Sequence, residues 1–138
     1  MMPNSPKNDH KYYWTVHSKY KLIQYGLSAN KIKRIIRFPD RKEEGVAPNT
    51  IAVMKRKNEK HPQKGEIWVM YQDRLRVKKK EIKDESNENN LENRYKEATG
   101  KIKIISAWIY PGETPKDKEI FVPKDVWEEL ENINSEER

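Results

Sequence analysis

His17 opens a run of cations, and an imidazole beside cations has the equipment to take a proton from a hydroxyl next to a phosphate. The stretch that holds it, WTVHSKYKLIQYGLSANKIKRIIRFP (residues 14–39), also supplies Lys19, Lys21, Lys31, Lys33, Arg34 and Arg37, with Arg41 just beyond. Metal-independent RNA cleavage needs a base for the 2′-hydroxyl, an acid for the leaving oxygen and positive charge on the phosphorane. The residue types are present: His17 or a lysine as base, Tyr71 or Tyr110 as acid, Arg37 and Arg41 as clamp. The competing reading leaves His17 a hydrogen bond at a helix entrance and the cations a solvated face. His10 and His61 fall in polar segments and there is no cysteine, so neither a histidine nor a thiolate metal site is expected. The glycine patterns of nucleotide-binding loops, H-E-x-x-H and G-x-S-x-G are absent, and no cofactor is expected.

Charge along the chain points the same way as these residues. The formal net charge of +7 divides into +9 over residues 1–60, +1 over residues 61–100 and −3 over residues 101–138. Such an asymmetry favours a polyanionic partner, through attraction and counterion release, over charge spread for solubility alone. RNA or the ribosome is therefore the expected partner. Beside a metal-independent endoribonuclease stands a second class, a non-catalytic ribosome- or nucleic-acid-binding protein that uses the same charges, and a third, a protein-interaction module in which the acidic helix 123–133 or the insertion at residues 74–100 recruits a partner. No run approaches the apolar length of a membrane span and the N-terminus has no signal-like apolar core, so a soluble cytoplasmic protein with no membrane partner is expected.

The elements that must position these groups can be read from periodicity. Residues 1–11 are polar and read as a flexible tail. YYWTVH alternates as a strand, with Tyr12, Trp14 and Val16 on one face. Ser18 caps a first helix that turns Leu22 and Ile23 inward and stops at Gly26. Ser28 caps a second, in which Ile32, Ile35 and Ile36 form an apolar stripe, Lys31, Lys33, Arg34 and Arg37 fall away from it, and Pro39 ends the helix.

After a polar turn, DRKEEGVAPN, three strands follow: TIAVMK, EIWVMYQ and IKIISAWIY. In the second, Ile67, Val69 and Tyr71 oppose Trp68 and Met70. In the third, strict alternation sets Ile102, Ile104, Trp108 and Tyr110 against Ile105, Ala107 and Ile109. Residues 74–100 are dense in Lys, Glu and Asn and read as a disordered insertion. PKDVWEELENI is a final amphipathic helix with Val126, Trp127, Leu130 and Ile133 inward, before a polar tail at residues 134–138. The fold class is thus α+β, a single domain over residues 12–133 in the order β-α-α-β-β-β-α. Its antiparallel sheet carries its helices on one side, covered by the two short N-terminal ones.

That order, together with HSKYKLIQYGLSANKIKRIIRFPD at the front and EIWVMYQ and KIKIISAWIYPG at the back, resembles the RelE/ParE toxin superfamily over residues 14–71 and 101–112. The resemblance implies one of two activities: cleavage of messenger RNA on the ribosome, as in RelE-like toxins, or action on DNA gyrase, as in ParE-like relatives. It also implies an antitoxin as protein partner.

Overall fold

Apolar side chains on both faces make β4 (Glu66–Asp73) and β5 (Ile102–Tyr110) interior strands, and they pair antiparallel at the centre of the sheet. The computed structural model describes residues 6–74 and 101–136. It is an α+β fold with a five-stranded sheet in the order β1-β5-β4-β3-β2. The other strands are β1 (Tyr12–Trp14), β2 (Arg41–Glu44) and β3 (Ile51–Arg56). The helices are α1 (Val16–Tyr25), α2 (Ala29–Arg37) and α3 (Lys124–Glu136). No helix among the described residues is long and apolar enough to cross a membrane. Of the insertion expected at residues 74–100, residues 75–100 lie outside the described residues; Arg74 is described, and its N–H donates to the Lys101 carbonyl.

Two features of the sheet differ from the alternation-based reading. The sheet is mixed, not antiparallel throughout, because β1 runs parallel to β5. The two helices carry the chain across the whole face, from β1 at one edge to β2 at the other. β1 therefore meets the last strand without a hairpin to force opposite directions. Residues 41–44, expected as turn, are strand β2, paired antiparallel with β3. Its pairing is carried by the backbone, and a strand made wholly of charged residues suits an exposed edge.

Helices cover both faces of the sheet, not one. On the first face Leu22, Ile32 and Ile35 pack over Val53, Val69 and Ile104. On the second, Val126, Leu130 and Ile133 of α3, with Ile120 and Val122 before it, cover Met54, Met70 and Trp108. Trp68 and Trp108 lie directly opposite on neighbouring strands and stack with centroids 6.2 Å apart. This second apolar face is too large to leave to water, which is why a C-terminal helix is needed there. Trp127 and Ile23, expected inward, are exposed, as is Val16. The apolar stripes of α1 and α3 are therefore narrower than their sequences suggest.

One extra residue in β5 changes which way its side chains face. Met70 pairs with Ser106 and Tyr71 with Ile104, so Ile105 is a β-bulge. Before it Ile102 and Ile104, and after it Ala107 and Ile109, face α1 and α2. Ile105, Trp108 and Tyr110 face α3. The bulge shifts the alternation by one residue and turns Ser106 to the α3 side.

Thr15, rather than Ser18, caps α1: its Oγ1 accepts from the Ser18 N–H at 3.1 Å and reaches the Ile104 and Ile105 carbonyls at 3.0 and 3.1 Å. The helix start is thereby clipped to the bulge, while Gly26, at φ 64°, closes the other end. The polar segment before β1 is also tied in. Asp9 Oδ1 accepts from the Lys11 and Tyr12 N–H groups, and Asn8 Oδ1 from that of Trp14.

Candidate functional site

His17 comes to rest one residue into α1, with its ring between β5 and α3. Its Nε2 lies 2.9 Å from the hydroxyl of Ser106, which is 0% exposed. Nδ1 lies 3.7 Å from Glu129 Oε2, and Nε2 lies 3.8 Å from Asp125 Oδ2. A proton on Nδ1 faces the Glu129 carboxylate, leaving Nε2 to accept from Ser106. Lys21, one turn along α1, forms an ion pair with Asp125. Burial lowers the His17 pKa, Asp125 pulls it back up, and Lys21 lowers it again. Burial alone would raise the Asp125 carboxyl, but the Lys21 ammonium holds it below the usual range.

This niche opens beside a cleft of about 420 Å³ whose walls include Tyr13, Tyr20, Lys103 and Glu129. A neutral imidazole with a hydroxyl on one nitrogen can move a proton. The charged groups facing its two nitrogens, Asp125 and Glu129, however, are carboxylates, which repel a phosphate rather than stabilise it.

The second region lies on the other face, two strands away, a displacement of about 9.5 Å across the sheet. Lys31 and Arg34 of α2 and Lys55, Arg56 and Lys57 at the end of β3 line a groove of about 440 Å³. Ser28 caps α2 at this groove, its hydroxyl accepting from the Lys31 N–H at 3.1 Å. Val53 points to the α2 side and Met54 to the α3 side, so strand alternation brings Lys55 to α2. Lys55 is held 3.3 Å from both Glu59 and Asp40, which together raise its pKa, Glu59 foremost. Asp40 also receives the Arg56 N–H at 2.9 Å, fixing the strand end under the helix. Lys31, Arg34, Lys55 and Lys57 set four cations in the groove against one lining carboxylate, Glu59, while the Arg56 side chain, opposite Glu66, alternates to the α3 face.

The residues singled out by sequence therefore divide. Lys31 and Arg34 meet in the groove. Arg37 is exposed on the next turn of α2, and Lys33 lies on the opposite flank with its ammonium 5.1 Å from the Tyr12 ring centre. Lys21 is held by Asp125, and Lys19 sits on α1 and does not line the groove. Arg41 is engaged on the other face: Nε to Glu43 at 2.8 Å, the two terminal nitrogens to the Pro115 and Lys118 carbonyls, and the guanidinium 5.8 Å from the Trp68 ring centre. Tyr71 is buried on the α1/α2 face. Tyr110 lies four residues beyond Ser106, opposite Glu66, with its ring near Phe121. Neither tyrosine joins His17.

Lys55, Arg56 and Lys57 escape a reading by periodicity, which takes them only as the polar end of a strand. Their signal lies in MKRKNEK, three consecutive cations where an apolar strand leaves the core. Ser106 is the one small polar residue in IKIISAWIY, and two adjacent isoleucines before it break the alternation, the mark of a bulge. Among the described residues no group of three or more His, Cys, Asp or Glu side chains is arranged to hold a metal ion. No protein-family model, no curated protein and no solved structure matches this chain.

Proposed function

We propose that this protein binds RNA, seating backbone phosphates in the groove between α2 and the end of β3. One observation carries the reading: Lys31 and Arg34 from α2 share one groove with Lys55 and Lys57 from the end of β3. Cations from two elements facing one channel follow a phosphate chain better than a single charged helix face does. The likeness of the sequence to RelE/ParE toxins extends the proposal to a ribosomal RNA setting and an antitoxin-like partner. Cleavage is a weaker extension, because His17 lies on the other face of the sheet from the groove and among carboxylates.

The test is fluorescence anisotropy of a labelled RNA against the full chain, repeated across salt concentrations. Affinity falls as salt rises, with a slope of about 0.7–0.9 per phosphate contact. The double variant Lys31→Glu/Arg34→Glu loses at least about tenfold in affinity and part of that slope. An affinity unchanged by the double variant rejects the groove.

A second reading has its own observation. Val16, Tyr20 and Ile23, at i, i+4 and i+7, put an apolar stripe on the exposed face of α1, beside the His17 cleft. Such a stripe is the kind of surface a protein partner covers. Charge introduced by Tyr20→Glu abolishes any complex formed there and leaves RNA affinity intact.

A further inference from the structure

Phe38 is 68% exposed at the C-cap of α2. Its N–H still donates to the Arg34 carbonyl at 2.9 Å, which ties it to the last turn of α2, although its own backbone, at φ −133° and ψ 63°, has left the helix. Lys31, Arg34 and Phe38 follow one another at i, i+3 and i+7, along one line of the helix surface. Two residues further on, Asp40 is bonded to Lys55 and to the Arg56 N–H, both on the far wall of the groove. Phe38 does not line the groove itself but stands four residues beyond the lining residue Arg34 and two before Asp40, the anchor of the opposite wall. The other exposed aromatics among the described residues lie elsewhere: Tyr20 on α1, Trp127 on α3, and Phe121 against Tyr110.

From this line of two cations and a ring we infer that the groove takes single-stranded RNA and that Phe38 stacks on one of its unpaired bases. The inference rests on the groove binding RNA and names which form of it. In a duplex the base faces are covered by their neighbours, so a ring at the end of a phosphate channel has nothing to stack on. In a single strand each nucleotide presents both a phosphate and an open π-face, which is what a cationic ridge ending in an exposed aromatic can use. Arg34, one turn before the ring, supplies the charge that holds the adjoining phosphate.

The experiment measures binding of three labelled probes to the full chain: a single-stranded RNA, the same length of fully paired RNA, and a single strand with abasic sites that keeps its phosphates. Phe38→Ala lowers affinity for the intact strand about fivefold or more, the effect of losing one stacked base, without changing the salt slope. The same substitution leaves the abasic and paired probes unaffected, and Phe38→Trp retains wild-type affinity for the intact strand. The inference is overturned if Phe38→Ala binds the intact strand as wild type does while Lys31→Glu/Arg34→Glu loses it; the groove reading then stands without it. Absence of binding to every probe by the wild type overturns both.

Discussion

α1 and α2 follow one another in the chain and both carry lysines, but their charges meet opposite fates. On α1, Lys21 is claimed by Asp125 and His17 is faced by Asp125 and Glu129, all supplied by α3. On α2, Lys31 and Arg34 lie on the sheet face that α3 does not cover, and Lys55 and Lys57 at the end of β3 join them. The acidic excess of residues 101–138 is thus applied to one helix and withheld from the other. Net charge in a sequence becomes a binding surface only after the fold has decided which carboxylates reach which cations. At the His17 niche the carboxylates of α3 meet the cation of α1, whereas the α2 groove retains an excess of positive charge.

The sharpest way to separate the two regions is to damage the niche. Ser106→Val removes the hydroxyl bonded to His17 and leaves a half-buried ring nitrogen without that partner, a loss of about 1–3 kcal/mol in urea unfolding. RNA affinity, measured where the variant is fully folded, stays within about twofold of wild type, since the two regions share no residue. A parallel loss of affinity would mean that they form one site.

The pH dependence of stability comes next in size, and its sign follows from His17. Burial lowers its pKa in the fold, so the unfolded chain binds the proton more readily. Stability present above the unfolded value of about 6.5 is lost as pH falls toward the folded pKa, and the decline then levels off. Asp125, also lowered, titrates below the ordinary carboxylate range and contributes its own loss only at much more acid pH. His17→Gln flattens the decline just below neutrality in urea midpoints taken across that window. A steeper decline in the variant would show the histidine to be stabilising as its charged form.

Much of the fold is legible in the sequence wherever side-chain periodicity alone decides the outcome. Ile32 and Ile35 announce the buried stripe of α2, and Ile67, Val69 and Tyr71 the inner face of β4. What stays hidden depends on partners distant in the chain. Arg41–Glu44 reads as turn because nothing in four charged residues reveals a strand whose hydrogen bonds come from β3. Strict alternation misassigns the faces of β5 past Ile105 because a single bulged residue reverses every later side chain. The fate of Lys21 and Arg41 is invisible for the same reason: their partners Asp125, Pro115 and Lys118 lie more than seventy positions away. For the cations of the groove, the missing half is Lys55 to Lys57, whose approach to α2 needs the β3–β4 pairing.

Within the groove, Glu59 is the carboxylate that tempers the field, holding Lys55 at 3.3 Å from an exposed position. Glu59→Gln releases Lys55 from the larger of the two influences on it and leaves Asp40 in place to anchor Arg56. RNA affinity rises a few-fold at low salt and the salt slope steepens by about 0.7, the share of one added contact on a single strand. Thermal stability moves little, because the pair is surface-exposed.

The smallest effect is the most discriminating. Asp125→Asn removes the counter-charge of Lys21, so the molecule gains a free cation on α1 and its net charge rises by the same amount as in Glu59→Gln. If overall charge were what draws RNA, the two variants would tighten binding equally. If binding belongs to the α2 groove, Asp125→Asn changes affinity by less than about twofold, because Lys21 lies on the other side of the sheet and long-range attraction is screened within about 10 Å at moderate salt. Anisotropy on the two variants side by side decides it. Equal tightening would move the site from the groove to the molecule's whole surface, while a gain confined to Glu59→Gln ties RNA to the channel that Lys31, Arg34 and β3 enclose.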